Sequence, residues 1–304
     1  MSRTSIALLV AILGRLPVAL AGQQAGTEPP AALSNGAYPI VSPSGRWILF
    51  TSERDGTPDV YVMRTSGRDV RRLTYGPERE LPVGWSHDRP LFGVFAQDST
   101  TLFAGRLNGS TSAIARVPGR GVQLTPEGNR VLHTVGTFRS NRLVESDLDG
   151  GNPRFITHGG EAIFNPRLST DGKLIAYTRM DSTGTLEIWV ARRDGSGTWP
   201  VVRHVVSAGR PQVPAWSPDG TRIAFQVNVQ VSSTPPQSTS QIWLVEIATG
   251  GLVSLAGHER VYLDEVPSWF PDGRHLAFQS NRTGRMEVWV MRTDGMRARQ
   301  LTRE

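Results

Sequence analysis

Eight residues carry the side chains best suited to binding or chemistry in this sequence, and all lie in polar segments between apolar runs. They combine histidines, carboxylates and one arginine: Glu80, His158, Glu161, His204, Arg210, His258, Asp264 and Glu265. Neutral imidazoles and carboxylates are competent ligands for a divalent cation. No His-x-His or His-Glu-x-x-His spacing accompanies them, so the same residues would serve equally as solvated loop positions. No cofactor is therefore expected, and a divalent cation in a central channel stays an open alternative.

Several other chemistries are excluded by residue type. The 304 residues include no cysteine, which removes disulfides, thiolate zinc sites and cysteine nucleophiles. The stretch Gly84–Asp88 approaches a nucleophile elbow but lacks its final glycine. The stretch Asp147–Asn152 begins like a calcium loop but lacks the later glutamate. We therefore predict no catalytic residue, and His133 is expected to be a core histidine.

The elements that must position these residues follow from an internal repeat. The run Trp216–Gly220 (Trp-Ser-Pro-Asp-Gly) precedes an apolar strand that ends in Phe225, and Trp269–Gly273 precedes one that ends in Phe278. The residue before each turn glycine, or its equivalent, marks six copies: Ser44, Asp88, Glu127, Asp171, Asp219 and Asp272. Their spacings of 44, 39, 44, 48 and 53 residues match the length of a four-stranded propeller blade.

Each copy has the chemistry of short strands and tight turns. Its segments are rich in Val, Ile, Phe, Tyr and Trp and are bounded by Gly, Pro or Asp, and Asp-Gly is a strong hairpin signal. The sequence thus predicts an all-β fold, a single six-bladed β-propeller over residues 37–304 with four-stranded antiparallel blades. The aromatic side chains are expected to pack between blades. The ends of the ring are expected to meet without an exchanged strand unless residues 23–36 add one.

These motifs resemble the WD-like repeat of the TolB propeller family, whose units read Pro-x-Trp-Ser-Pro-Asp-Gly, Ser-Asn-Arg-x-Gly and a closing Leu-Thr. The similarity is most specific in copies one, five and six and weak in copies two and three. The resemblance implies a six-bladed propeller of the cell envelope. It does not extend to the α/β domain that precedes the propeller in the family's namesake, for which we expect no counterpart here.

The first residues and the charge balance suggest where the protein works. Residues 1–21 read as an export signal, with Arg3 before an apolar run and a small-x-small cleavage site at Ala19–Ala21, and residues 22–36 as a lead-in. The formal net charge is +6, and many arginines fall on hairpins predicted to share one face. Such a rim would attract an acidic partner, anionic lipid headgroups or an acidic polysaccharide. Nucleic acid is not expected, because no reading motif is present.

We therefore expect an exported, periplasmic or secreted bacterial propeller without a transmembrane segment and without enzymatic activity. It would act as a monomeric scaffold that binds an envelope protein or peptide. The alternative is a carbohydrate-active lyase or hydrolase with a metal-assisted site at the channel mouth. Chain direction places the inter-blade segments on one face, here called the loop face, and the Asp-Gly turns on the other, the turn face. The long segment Gln226–Gln241 is expected to be a polar loop of the loop face.

Overall fold

The computed structural model describes residues 35–96, 98–203, 209–233, 236–255 and 262–303. The predicted signal and all of the lead-in but residues 35 and 36 lie outside this part of the chain. In the described residues, 24 strands form six antiparallel sheets, each made of four strands that are consecutive in sequence. The predicted all-β, six-bladed propeller is therefore confirmed. The described part contains no helix long and apolar enough to cross a membrane.

The strands of the six blades have the following bounds. Blade 1 contains β1 Ala37–Val41, β2 Trp47–Ser52, β3 Asp59–Arg64 and β4 Arg71–Arg72. Blade 2 contains β5 Glu80–Ser86, β6 Arg89–Phe95, β7 Ser99–Gly105 and β8 Thr111–Pro118. Blade 3 contains β9 Arg120–Leu124, β10 Arg130–Gly136, β11 Asn141–Asp147 and β12 Arg154–Phe155. Blade 4 contains β13 Ala162–Leu168, β14 Leu174–Met180, β15 Leu186–Arg192 and β16 Thr198–Val202. Blade 5 contains β17 Arg210–Trp216, β18 Arg222–Ser233, β19 Pro236–Glu246 and β20 Leu252–Ser254. Blade 6 contains β21 Asp264–Trp269, β22 His275–Ser280, β23 Glu287–Arg292 and β24 Arg299–Gln300.

The Ser-Pro-Asp-Gly motif closes the hairpin between the first two strands of a blade. In blade 5 the Ser217 hydroxyl donates to Asp219 Oδ1 (2.6 Å) and accepts from the backbone N–H of Arg222 (2.9 Å). Gly220 follows with a φ of 70°, a conformation that glycine adopts without strain. The hydrogen bond from Ser217 is the main cause that lowers the pKa of Asp219 to about 2. These aspartates therefore serve the turns.

The hydrophobic core lies between blades, because each cluster draws its side chains from two neighbours. Phe225 of blade 5 packs with Val190 of blade 4, and Phe278 of blade 6 packs with Leu244 of blade 5. The ring closes in the same way, since Phe50 of blade 1 shares a cluster with Val290 of blade 6. A blade cannot bury both faces alone, so the stability of each depends on its neighbours.

Tryptophans of the innermost strands add a polar link between blades. The indole N–H of Trp85 donates to the Ile40 carbonyl of the preceding blade at 2.9 Å. Trp216 and Trp269 repeat the contact at 3.0 Å, to the carbonyls of Arg167 and Ala215. The tryptophan of the innermost strand therefore joins each of these blades to the one before it.

Ring closure uses side chains and the residues just before β1 in place of an exchanged strand. Within the described chain, blades 1 and 6 each contain only their own four consecutive strands. The backbone N–H groups of Asn35 and Gly36 both donate to the Met286 carbonyl of blade 6 at 3.1 Å. The Asn35 amide donates to Glu287 Oε1, also at 3.1 Å. The expectation of an unexchanged closure holds for this part of the chain.

The segment Gln226–Gln241 corrects the prediction of a polar loop. Its residues extend β18 and β19 into a long hairpin, with Val229 opposite Thr239 and Gln230 opposite Ser238. The physical reason is visible in the sequence, where valines at 227, 229 and 231 alternate with polar residues. Alternation with a period of two is typical of a strand, and the polar composition concealed it.

Candidate functional site

The innermost strands line the central channel and begin at the loop face. Three of the predicted site residues, Glu80, Arg210 and Asp264, are the first residues of β5, β17 and β21. They are thus fixed by a sheet and do not lie in free loops. Arg210 is half-buried and its Nη2 lies 3.4 Å from the Gly184 carbonyl of blade 4.

The carboxylates of blade 6 are buried and engaged within their own blade. Asp264 pairs with Arg282, whose Nη2 lies 2.5 Å from Oδ2 and whose Nε lies 3.1 Å from Oδ1. The Ser280 hydroxyl also donates to Asp264, at 2.6 Å. Glu265 accepts from Gln279 Nε2 at 2.9 Å. The Ser-Asn-Arg motif therefore anchors the start of β21, and both acids have internal partners.

Glu80 is a buried carboxyl group between blades 1 and 2. The Thr74 hydroxyl lies 3.4 Å from both Glu80 Oε2 and Asp59 Oδ1. Arg72 lies 2.7 Å from Asp59 and compensates that charge. Burial, and then the nearby charge of Asp59, raise the pKa of Glu80. This residue is a site of pH sensitivity in the fold.

His158 lies at a cleft on the loop face of blade 3. The cleft has a volume of about 330 Å³ and is lined by residues that include Ser140, Asn141, Arg142, Phe155 and His158. The Arg142 guanidinium carbon lies 5.1 Å from the centroid of the Phe155 ring. His158 is exposed, and the two glycines after it, which also line the cleft, have φ values of 94° and 82°. We call this feature the blade 3 cleft.

The surroundings of the blade 3 cleft are aromatic and basic. Phe155 is 53% exposed, and Phe138, at the tip of the neighbouring hairpin, is 39% exposed and packs on Phe164 with ring centroids 5.0 Å apart. Glu161, the last of the predicted residues of this blade, lies 3.5 Å from Arg179 Nε. Arg142 has no carboxylate partner among the described residues, so the cleft presents a cation and exposed rings to a ligand.

The described residues show no arrangement of ligands for the predicted metal site. His204 and His258 lie outside the part of the chain that the structure describes. Within the described residues, no three His, Asp or Glu side chains lie close enough to share a metal ion. His133 is buried, as expected, with Nε2 2.9 Å from the Ser146 hydroxyl, and burial lowers its pKa.

Much of the predicted basic rim is engaged inside the turn face. Arg64 stacks on Trp47, with 4.0 Å from its guanidinium carbon to the ring centroid. Arg193 bridges two blades, with Nε 2.7 Å from Glu145 and Nη1 3.0 Å from Glu127. The hydrogen bond from Arg193 is the main cause that lowers the pKa of Glu127 to about 2. Arg193 therefore stabilises the junction of blades 3 and 4, whereas Arg64 packs within blade 1.

Glu145 is the centre of this junction. Besides Arg193, it accepts from Arg130 Nε at 3.1 Å and from Arg154 Nη2 at 3.0 Å, although its side chain is only 5% exposed. Burial alone would raise the pKa of Glu145, but the hydrogen bond and charge of Arg193, followed by the other two arginines, lower it. One buried carboxylate therefore joins three arginines.

Sequence reasoning missed Arg142 and Phe155, two side chains placed by strands of the repeat. Arg142 is the second residue of β11 and Phe155 is the last of β12, so both reach the loop face from strand ends. Phe155 stands just before the closing Ile156–Thr157 of its copy, where an outward-facing side chain is normally polar. That departure from the repeat was the available signal.

The six blades of the described chain define a six-bladed propeller with a loop face and a turn face. A profile described as the TolB β-propeller domain matches residues 129–304, more than half of the chain. The chain belongs to this TolB β-propeller family, and the resemblance drawn from the repeats is confirmed.

Individual relatives are longer than the part of them that this chain matches. The chain is 27% identical over 242 residues to the Tol-Pal system protein TolB of Anaeromyxobacter dehalogenans, covering 77% of this chain and 52% of that protein. It is 44% identical over 102 residues to the uncharacterized peptidase YuxL of Bacillus subtilis, covering 33% and 15%. The crystal structure of TolB from Acinetobacter baumannii aligns with a TM-score of 0.66 at 18% identity, covering 89% and 64%. The chain thus spans about half of the TolB relative and a small part of the peptidase.

Proposed function

We propose that this protein is a non-enzymatic binding scaffold of the bacterial cell envelope, which holds a protein or peptide partner on its loop face. The observation that carries the proposal is the blade 3 cleft, where Arg142, Phe155 and His158 surround a concave surface. Arginine and aromatic side chains are the residues that most often dominate the energetics of protein interfaces. The similarity to a Tol-Pal system protein supports an exported, periplasmic location.

The charges of the loop face favour an acidic partner. Asp264 and Glu265 are neutralised or hydrogen-bonded within blade 6, and Glu161 faces Arg179. The Arg142 guanidinium, in contrast, rests on the Phe155 ring without a described carboxylate. An acidic side chain of the partner would form an ion pair with Arg142, and apolar residues beside that side chain would cover the exposed Phe155 ring.

Matched substitutions on the two faces test the proposal. Phe155→Ala and Arg142→Ala should each lower recovery of the partner from envelope extracts at least tenfold, because hot-spot truncation costs about 2 kcal/mol or more. Met296→Ala and Arg68→Ala remove exposed side chains of the turn face and should leave recovery unchanged. Equal effects on both faces would contradict a loop-face site.

A second assay tests the proposal that the protein has no enzymatic activity. Purified protein is incubated with acidic polysaccharides and peptides in the presence of Mn²⁺ or Ca²⁺, and the products are followed by mass spectrometry. We expect no turnover. Consumption of a substrate that is abolished by chelation would instead support the metal-assisted alternative.

A further inference from the structure

Five arginines lie together on the turn face at blade 1. Arg64 is the last residue of β3, Arg71 is the first of β4, and Arg68 lies in the hairpin between these two strands. The other two are Arg46, in the hairpin between β1 and β2, and Arg299, the first residue of β24 in blade 6. All five are exposed. We call this set the arginine patch.

Hydrogen bonds around Thr65 bring four of these arginines together. The backbone N–H of Arg64 donates to the Arg68 carbonyl at 2.8 Å, and the backbone N–H of Thr65 donates to the Arg46 carbonyl at 3.2 Å. From the neighbouring blade, Arg299 Nη2 donates to the Thr65 carbonyl at 3.3 Å. The patch therefore extends across the junction of blades 6 and 1.

The fifth arginine, Arg71, joins Arg64 at the side chain of Trp47. The guanidinium carbons of Arg64 and Arg71 lie 4.0 and 5.7 Å from the centroid of that ring. Arg71 also pairs with Asp69, with Nε 2.8 Å from Oδ1 and Nη2 2.9 Å from Oδ2, and Arg64 Nε lies 3.6 Å from the same carboxylate. Among the described residues, Asp69 is the one carboxylate that forms an ion pair with the patch. The patch therefore has an excess of positive charge.

The corresponding hairpins of blade 4 show how the same fold neutralises its cations. There Lys173 lies 3.9 Å from Asp171, and Arg193 lies between Glu127 and Glu145 at 3.0 and 2.7 Å. Each of these cations has a carboxylate of its own or shares two. In the described part of the chain the arginine patch lacks such a set of carboxylates, so its charge is available to an external anion.

The composition of the patch favours a phospholipid surface over an acidic polysaccharide. Trp47 is only 6% exposed and is covered by Arg64, so it offers no open ring on which a sugar could stack. Val70, next to Arg71, is 40% exposed, and an apolar side chain among cations suits the boundary between headgroups and acyl chains. Guanidinium groups bind phosphate oxygens with paired N–H donors.

We propose that the arginine patch docks the turn face at blade 1 on a membrane surface that carries anionic phospholipids. The lipid phosphates neutralise the excess charge of the patch, and each basic residue near such a surface increases binding about fivefold. The patch lies on the face opposite to the blade 3 cleft, so the loop face stays open to a partner. Either proposal can therefore fail without the other.

Flotation with lipid vesicles tests the proposal on the full chain. We expect binding to vesicles of phosphatidylcholine and phosphatidylglycerol in equal amounts, no binding to phosphatidylcholine alone, and release by added salt. A double variant with Arg68→Gln and Arg299→Gln removes the two cations without a described carboxylate and should bind about 25-fold more weakly. A double variant with Arg139→Gln and Arg203→Gln loses the same charge from exposed positions of the loop face and should bind like the wild type.

Two further measurements guard against misfolding and against attachment through another part of the chain. Arg68→Lys with Arg299→Lys keeps the charges and should bind like the wild type, and the melting temperature of each variant reports its folding. Because the sequence contains no cysteine, one introduced cysteine carries a unique label. An environment-sensitive fluorophore on Val70→Cys should shift to shorter wavelength on anionic vesicles, whereas the same label on Phe155→Cys should not.

Each outcome decides the proposal. Weaker binding of the Arg68 and Arg299 glutamine variant, together with a fluorescence shift at position 70, supports docking through the patch. Equal binding of the two glutamine variants, or a shift at position 155 and none at position 70, overturns it. Retention on heparin without binding to any vesicle also overturns it, in favour of an acidic polysaccharide.

Discussion

The indole hydrogen bond between blades offers a quantitative test of how the repeat motif builds the ring. Trp269 is 8% exposed and donates at 3.0 Å to the Ala215 carbonyl of the preceding blade. In Trp269→Phe the Ala215 carbonyl loses its indole partner, which costs about 1 kcal/mol or more. The smaller ring also leaves a void worth about 1 kcal/mol.

Trp289 provides a matched control within the same blade. Both indoles have an arginine over the ring, Arg222 at 4.9 Å from the Trp269 centroid and Arg282 at 5.4 Å from that of Trp289. The Trp289 Nε1 atom, however, is buried without a hydrogen-bond partner among the described residues. Trp289→Phe removes an unsatisfied donor, which offsets the void, and should cost about 0 to 1 kcal/mol.

Differential scanning calorimetry measures the contrast. A change of 1 kcal/mol shifts the melting temperature of a domain of this size by about 2 to 4 °C. Trp269→Phe should therefore lower the melting temperature by about 4 °C or more, and Trp289→Phe by about 3 °C or less. Equal shifts in the two variants would refute the reasoning that the indole hydrogen bond joins the blades.

Three further predictions concern pH and backbone. Glu80 has a raised pKa in the folded state, so its contribution to stability is full below the ordinary value of 4.5 and is lost as the pH rises through the folded pKa. Glu80→Gln should thus raise the melting temperature at pH 7, whereas the exposed Glu78→Gln should not; equal shifts would contradict this. Glu145→Gln removes the buried carboxylate that pairs with three arginines. It should lower the free energy of unfolding, measured with urea at pH 7, by about 3 to 5 kcal/mol. A new Cβ at Gly119 would lie 1.8 Å from a backbone oxygen, so Gly119→Ala should prevent soluble expression, while Gly128→Ala, with nothing within 4 Å, should cost about 1 kcal/mol by circular dichroism. Similar expression and stability of the two glycine variants would disprove the steric argument.

The fold was predictable because each copy repeats its strands, turns and aromatics in one order. The turn acid Asp219 and the core residue Phe225 have the roles that the sequence indicates. Local sequence patterns do not show which residue of another strand or blade a polar side chain contacts. Asp264 resembled a free loop acid and is paired with Arg282. Arg193 resembled part of an open basic rim and bridges Glu127 and Glu145.

For the candidate site, the sequence predicted only the face of the propeller on which it lies. His158 does lie at a cleft, but the side chains that give that cleft its character are Arg142 and Phe155. They stand at strand ends outside the motifs of the repeat, and the one signal was the aromatic Phe155 at a position that is polar in several other copies. Their juxtaposition arises from β11 and β12, which pair at Val144 and Phe155 and bring the two strand ends together.

Site-specific photocrosslinking in cells tests the central claim most directly. A photoreactive phenylalanine analogue replaces Phe155 on the loop face or Met296 on the turn face, which are 53% and 65% exposed. We predict a discrete crosslinked protein from position 155 that is lost on adding Arg142→Ala, and none from position 296. Crosslinks from position 296 alone, or from both positions to the same extent, would contradict a loop-face binding scaffold.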